Sequence, residues 1–309
     1  MTTPRALHEH QIESGRSWVS QNRYLLVRRL TQLSIIALFL AGPWAGLWIV
    51  KGTLTSSLTL EVLPLTDPYI FTQTLFSGHL PEFTALIGAA IIVLFYALIG
   101  GRVYCSWVCP MNMVTDTASW VHRKLNIKKG WQPKRATRYW LLAMTLCVAV
   151  LTGTLAYELV NPVTLLHRAL VFGMGFVWSV VFLVFAFDTF VARRGWCGHL
   201  CPMGAFYGLL NTAALLRITA HNRQACDNCM DCFDVCPENH VISPALRGKK
   251  KDSPLILNRD CTSCGRCIDI CDLDVFRFTH RFDTKTVQST SKEPEQIQPV
   301  SVQAKGGLR

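Results

Sequence analysis

RVYCSWVCPM (Arg102–Met111) and RGWCGHLCPM (Arg194–Met203) share one pattern, R-x-x-C-x-x-x-C-P-M. Each follows a long apolar run, so the chain repeats a unit of apolar segment and two-cysteine turn. A residue before proline is pushed out of the α region, which predicts extended backbone at Cys109 and Cys201. Pro110 and Pro202 then suit the first position of a new helix. Met111, Val114, Ala118, Val121 and Leu125 fall at helical spacing, and so do Met203, Phe206, Leu210 and Ala213. This predicts an amphipathic helix along the membrane surface after each turn. The positive end of such a helix, with Arg102 or Arg194 nearby, favours thiolate. Cys105, Cys109, Cys197 and Cys201 are therefore candidate redox thiols. They would act as ligands of a further metal or cluster, or as a disulfide-forming set. A purely structural turn is the third reading.

The apolar runs are four: Leu30–Val50, Phe83–Gly100, Trp140–Leu159 and Ala169–Phe190. A bilayer core of roughly 30 Å takes about 20 apolar helical residues. The expectation is a mainly α membrane protein with four transmembrane helices. The first run follows a polar, basic stretch and reads as a retained anchor rather than a signal peptide. The net charge of +11 is spread unevenly. Arg5, Arg16, Arg23, Arg28 and Arg29 precede the first run, and eight lysines and arginines from Arg102 to Arg138 separate the second from the third. Arg193 and Arg194 follow the fourth, while the other two loops hold only Lys51 and Arg168. By the positive-inside rule both termini and both cysteine turns are cytoplasmic. Topology thus accounts for the charge, and no nucleic acid is expected as a partner.

Twelve of the thirteen cysteines fall in short motifs; Cys147 stands alone in the third run and reads as a small apolar residue. Cys226, Cys229, Cys232 and Cys236 have the spacing C-x2-C-x2-C-x3-C-P, and Cys261, Cys264, Cys267 and Cys271 repeat it with Asp272 in place of the proline. In bacterial ferredoxins with this spacing the first three cysteines of a run hold one [4Fe–4S] cluster and the fourth reaches the other. The first cluster would take Cys226, Cys229, Cys232 and Cys271, and the second Cys261, Cys264, Cys267 and Cys236. Zinc is the competing metal, but zinc ribbons use separated pairs rather than two runs of four. The basic loop PALRGKKKDSP between the runs reads as a solvated turn or a docking surface for an acidic redox partner.

The whole pattern resembles NapH, the membrane quinol dehydrogenase component of the periplasmic nitrate reductase system. GGRVYCSWVCP and RGWCGHLCPMGAFYGL carry the resemblance most specifically. It implies two [4Fe–4S] clusters, quinol as substrate and a bacterial inner (cytoplasmic) membrane location. The implied partners are the membrane quinol pool, a periplasmic ferredoxin-type protein like NapG and the other subunits of the nitrate reductase system. An accessory or maturation role for another metalloenzyme is the alternative, and a membrane redox sensor a third. The expected domains are an N-terminal cytoplasmic segment 1–29, a transmembrane domain 30–217, a 2[4Fe–4S] ferredoxin-like α+β domain 218–282 and a disordered tail 283–309. Quinol hydroxyls need a proton acceptor active near neutral pH. Asp67 in LPLTDP, His79 and His167 are the candidates, with Glu61, Glu158 and Asn161 on the same side. Asp188, an acid within the fourth run, is a functional candidate by its depth.

Overall fold

The computed structural model describes residues 17–125, 127, 133–173, 175–248 and 253–283. Residues 1–16 of the N-terminal segment, the lysines of the basic loop and all but Asp283 of the expected tail lie outside the described residues.

The N-terminal half is built from α1 (Arg23–Ala45), α2 (Pro68–Phe76), α3 (Phe83–Ile99), α4 (Met111–Lys124), α5 (Thr137–Thr152), α6 (Pro162–Phe172), α7 (Val177–Ala186) and α8 (Pro202–Leu210). Between α1 and α2 three short strands, β1 (Val50–Gly52), β2 (Ser56–Thr59) and β3 (Leu63–Thr66), form an antiparallel sheet. Lys51 pairs with Leu58, and Ser57 with Leu65. LPLTDP therefore supplies β3 and the start of α2. Asp67 caps α2, accepting the Tyr69 N–H at 2.8 Å and the Ile70 N–H at 3.3 Å, with Pro68 as the first helical residue.

The apolar runs differ from expectation in length. Among the described residues one helix, α1, has the length and apolar content to cross a bilayer. The other three runs form helices of 17 (α3), 16 (α5) and 10 (α7) residues. Glycine sets two of these limits. Gly153 ends α5 at φ 64°, and only a 3-10 turn, Ala156–Leu159, continues the third run. Gly173 ends α6 at φ 65°, which splits the fourth run before α7 begins. Large apolar side chains still face outward on these helices, including Leu94 and Phe95 on α3 and Phe182 and Leu183 on α7.

The second correction concerns the helices after the cysteine turns. α4 is two-faced, with Met111, Thr115 and Ala118 buried and Trp120 exposed. α8 does not lie on a surface. Met203, Ala205 and Tyr207 are buried, and it packs against α5 and α3. Gly101 allows this approach, because a Cβ there would meet the Tyr207 carbonyl oxygen at 2.0 Å. The core joins Tyr69, Tyr96, Tyr104, Tyr157 and Tyr207 with Leu142, Val181 and Met203.

The C-terminal part pairs β4 (Leu216–Ala220) with β5 (Phe276–His280), antiparallel, with Ile218 opposite Phe278. Helices α9 (Asp231–Val235), α10 (Ile242–Arg247) and α11 (Arg266–Ile270) complete it. Its core is Ile218, Val241, Ile242, Ile256, Val275 and Phe276, with the cysteines packed into it.

Candidate functional site

The two cysteine runs fold into loops that need backbone most side chains avoid. Asn228 and Met230 in the first run, and Ser263 and Gly265 in the second, all have positive φ. Each loop turns tightly before a short helix, α9 or α11. Cys226, Cys229, Cys232 and Cys271 line one cavity. Cys236, Cys261, Cys264 and Cys267 line another. Each cavity draws three cysteines from one run and one from the other. Cys232 in the first and Cys267 in the second resist ionisation. Burial pushes Cys232 up to about 12, with Cys229, Cys271 and Cys226 adding to it. Burial, then Cys264, Cys236 and Cys261, raises Cys267 well above the ordinary thiol value. Crowded thiolates of this kind suit a cationic metal centre. The cysteines also sit wide of a single ion. Among the described residues the one trio of ligand atoms within 4.8 Å of one another is Glu238, His240 and Asp260. Tetrahedral zinc, with bonds of about 2.3 Å, needs sulfurs at about 3.8 Å, so the donor set fits a cluster better.

The Glu238 trio is already neutralised by arginine and joins the two halves of the molecule. Arg102 Nη1 donates to Glu238 Oε1 at 3.0 Å and to the Asp260 carbonyl at 2.7 Å. Arg138 donates to Glu238 Oε1 at 3.3 Å, to the Gly198 carbonyl at 3.1 Å and to Asp260 Oδ1. Burial alone would raise the Asp260 carboxyl. The hydrogen bond from His240 and the charges of Arg138 and Arg102 hold it well below the usual carboxylate range. Ser106 Oγ donates to the Thr262 carbonyl at 2.7 Å, and Trp107 Nε1 to the Ser263 carbonyl at 3.2 Å. The first cysteine turn thus grips the loop of the second run directly.

Both turns share one geometry. A π-helical turn, Tyr104–Val108 or Trp196–Leu200, leads into an extended cysteine, Cys109 at φ −63°, ψ 119° or Cys201 at φ −68°, ψ 112°. Such turns recur at functional sites. The Gly204 N–H donates to Cys201 Sγ at 3.3 Å. The expected ease of ionisation is reversed by depth. Burial pushes the Cys201 thiol up to about 11, Cys105 adding to it, despite the Gly204 N–H. Burial also raises Cys105, Cys109 and Cys197. Cys109 is further raised by Cys105 and Cys201, so thiols of both repeats lie within electrostatic reach of one another. Asp188 accepts the Trp196 N–H at 2.8 Å and thereby holds the second turn.

A third cavity, of about 300 Å³, adjoins the first turn. Ile35, Leu38 and Phe39 of α1 and Ile92 of α3 give it apolar walls. Asp67, Tyr96, Tyr104 and Tyr207 supply its polar part. The Tyr207 hydroxyl donates to Asp67 Oδ2 at 3.1 Å. Burial pushes the Asp67 carboxyl up to about 6, against the lowering effect of its three hydrogen bonds. Tyr104 stacks on Tyr207 with centroids 4.5 Å apart. The buried Tyr104 hydroxyl has no hydrogen-bond partner among the described residues. Of the three acid–base candidates, Asp67 lines this cavity. His79 is exposed beside Ser77, and His167 is buried against Phe39. Glu61 is exposed and pairs with Lys51, and Glu158 accepts from Asn161. The three tyrosines were not apparent from sequence, although Tyr104 immediately precedes Cys105 and so sits inside the repeated motif.

The crossed arrangement of cysteines has a direct test. C226S/C271S removes two ligands from one cavity and should retain about four irons in the other. C226S/C236S removes one from each and should cost both clusters. Iron determination on the purified variants reads this out, and equal iron in the two double variants would refute the pairing.

Comparison with known proteins matches both repeats, residues 82–128 and 174–218, to a family described as 4Fe-4S binding domain. Residues 225–275 match a 4Fe-4S dicluster domain. The chain is 51% identical to the ferredoxin-type protein NapH of Haemophilus influenzae, over 86% of this chain and 93% of the relative. It is 53% identical to the methylamine utilization ferredoxin-type protein MauN of Paracoccus denitrificans, over 82% and 88%. NapH of Escherichia coli is 46% identical over 87% and 93%. No solved structure matches.

Proposed function

The chain belongs to the family of ferredoxin-type iron–sulfur electron-transfer proteins that includes NapH and MauN, and we propose that it oxidises quinol in the bacterial inner membrane. In this reading α1, α3, α5 and α7 cross the bilayer with both termini cytoplasmic. The alternating charge of the loops and the outward apolar faces of the shorter helices support it. Cys226, Cys229, Cys232 and Cys271 would hold one [4Fe–4S] cluster, and Cys261, Cys264, Cys267 and Cys236 the other. When bound, the pair would supply one-electron carriers for a two-electron donor. The four turn thiols, Cys105, Cys109, Cys197 and Cys201, would hold a further iron–sulfur or metal centre between cavity and clusters. Their mutual approach and the match of both repeats to a 4Fe-4S family support this.

The observation that carries the proposal is the cavity between Asp67 and the first cysteine turn. Its apolar walls fit an isoprenoid quinol, and its volume lies at the lower end of the small-molecule range. Asp67 would accept a hydroxyl proton, its affinity tuned toward neutrality by burial. Tyr104 would hydrogen-bond the headgroup with its unpartnered hydroxyl. Electrons would pass to a periplasmic ferredoxin-type protein and the nitrate reductase system, as the name NapH suggests. The 53% identity to MauN favours a second destination, methylamine utilization. A deletion strain that grows on methylamine but fails on nitrate selects the first.

Anaerobic mixing with a quinol analogue tests the chemistry. The cluster EPR signals should appear with the analogue as they do with dithionite. Signals that dithionite raises and quinol leaves untouched would exclude quinol oxidation. C109S/C201S should lose both iron and quinol-driven reduction; unchanged iron and unchanged reduction would leave these turns a structural role.

A further inference from the structure

A separate cavity of about 450 Å³ lies where α1, α4 and the cluster domain meet. Five arginines line it, Arg28, Arg29, Arg123, Arg194 and Arg266, against one carboxylate, Asp116. Asp116 is already saturated. It accepts from Arg28 at 2.6 Å, from Arg194 at 2.5 Å and from Arg29. Burial would raise its carboxyl, but Arg194, Arg28 and Arg29 hold it at about 2. Arg266 leans on Asp269 at 3.4 Å and on Asn22 at 3.1 Å. The Arg123 side chain makes no hydrogen bond or ion pair among the described residues, while its carbonyl accepts the Leu125 N–H. Burial, then Arg193 and Arg194, brings its guanidinium down to about 10. Cations have therefore been gathered and partly dried in excess of their counter-charge, which is unfavourable unless an anion joins them.

The surroundings say which anion. Arg28 and Arg29 immediately precede Leu30, the first residue of the first apolar run. Trp18 and Trp120 also line the cavity and are 64% and 53% exposed. Exposed tryptophan beside arginine at the end of an apolar helix is the composition of a lipid headgroup layer. Leu25, Val235 and Ile270 add apolar lining for the start of an acyl chain. Guanidinium forks match phosphate oxygens in pairs.

We propose that this cavity binds the phosphate of an anionic phospholipid from the cytoplasmic leaflet. The bound phosphate completes the charge of the arginine cluster. It also ties α1, α4 and the cluster domain together, since Ile270 lines this cavity and the first cluster cavity alike. The proposal rests on the membrane reading above, so retention in alkali-washed membranes is measured separately on every variant.

The test is thermal unfolding of the full chain in detergent, titrated with cardiolipin, phosphatidylglycerol, phosphatidylcholine, inorganic phosphate or polyglutamate. Cardiolipin and phosphatidylglycerol should raise the midpoint saturably and phosphatidylcholine should not. Arg123→Gln should bind anionic lipid about fivefold to tenfold more weakly, and Arg123→Lys should recover part of the loss. Arg123 is chosen because its side chain holds no ion pair among the described residues, so the substitution removes no structural ion pair. Equal stabilisation by phosphatidylcholine, or an Arg123→Gln titration like that of the parent, overturns the proposal. Inorganic phosphate as effective as lipid would assign the site to a soluble phosphate. Polyglutamate acting where lipid does not would assign it to an acidic protein, and either result overturns the lipid.

Discussion

Asp67→Asn is expected to lower quinol-driven reduction of the clusters by about 100-fold or more, with iron content and reduction by dithionite unchanged. The magnitude is that of a lost general base. Asparagine is chosen because it keeps everything else Asp67 does. It can still accept the Tyr69 and Ile70 N–H groups and cap α2. Its amide can also still meet the Tyr207 hydroxyl. Only the proton affinity is removed. The pH profile separates this from a packing defect. With a carboxyl near 6, the parent rate should rise as pH climbs through 6 and then level, because the protonated acid cannot accept a proton. Asp67→Asn should be slow and flat across that interval. Stability should move the other way. An acid whose folded value is raised above 3.8 destabilises the fold once it ionises, so the parent loses stability as pH rises from about 4 to about 6. At pH 7 that loss is at most about 3 kcal/mol, and asparagine should recover part of it. A variant that kept its rate, or kept the limb near pH 6, would remove Asp67 from the chemistry.

The parts of this molecule that were legible in sequence are those set by neighbours in the chain. The prolines after Cys109 and Cys201 dictate extended backbone locally, and the structure shows it at both. The ferredoxin-type runs are recognisable because their cysteine spacing is itself the loop geometry. The lengths of the spans were not legible. Apolar content continues past Gly153 and through Gly173, while the helices do not. The polar half of the cavity was hidden for a different reason. Asp67 and Tyr207 meet across the fold although they flank opposite ends of the apolar runs, and nothing local marks Tyr207 as its partner. The arginines show the converse. Along the chain they suggest a topology; folded together around Asp116 they become one cationic cavity.

Glu238→Gln should lower the thermal midpoint by about 10 °C, equivalent to about 3–5 kcal/mol for a buried charge left without its partner. Arg102, Arg138 and Glu238 have side chains 3%, 1% and 4% exposed, so water cannot replace the lost carboxylate. Two guanidinium groups would then share Asp260 alone, and Asp260 also holds His240 at 3.1 Å. Glutamine fills the same space and can still accept one hydrogen bond, so the loss reports charge rather than shape. Because Arg138 bridges Glu238 and Asp260, E238Q and D260N should be non-additive in a double-variant cycle. The functional consequence follows from where the clamp sits. Arg102 begins the first cysteine turn, and Glu238 stands two residues beyond Cys236. Loosening this contact would separate the cavity beside the first turn from the cluster loops, and Glu238 itself lines the second cysteine cavity. Quinol-driven reduction should therefore slow in E238Q at temperatures where both clusters remain intact. Unchanged midpoint and unchanged rate would show that the hydrogen bonds of Ser106 and Trp107 to the second loop suffice to hold the two halves together.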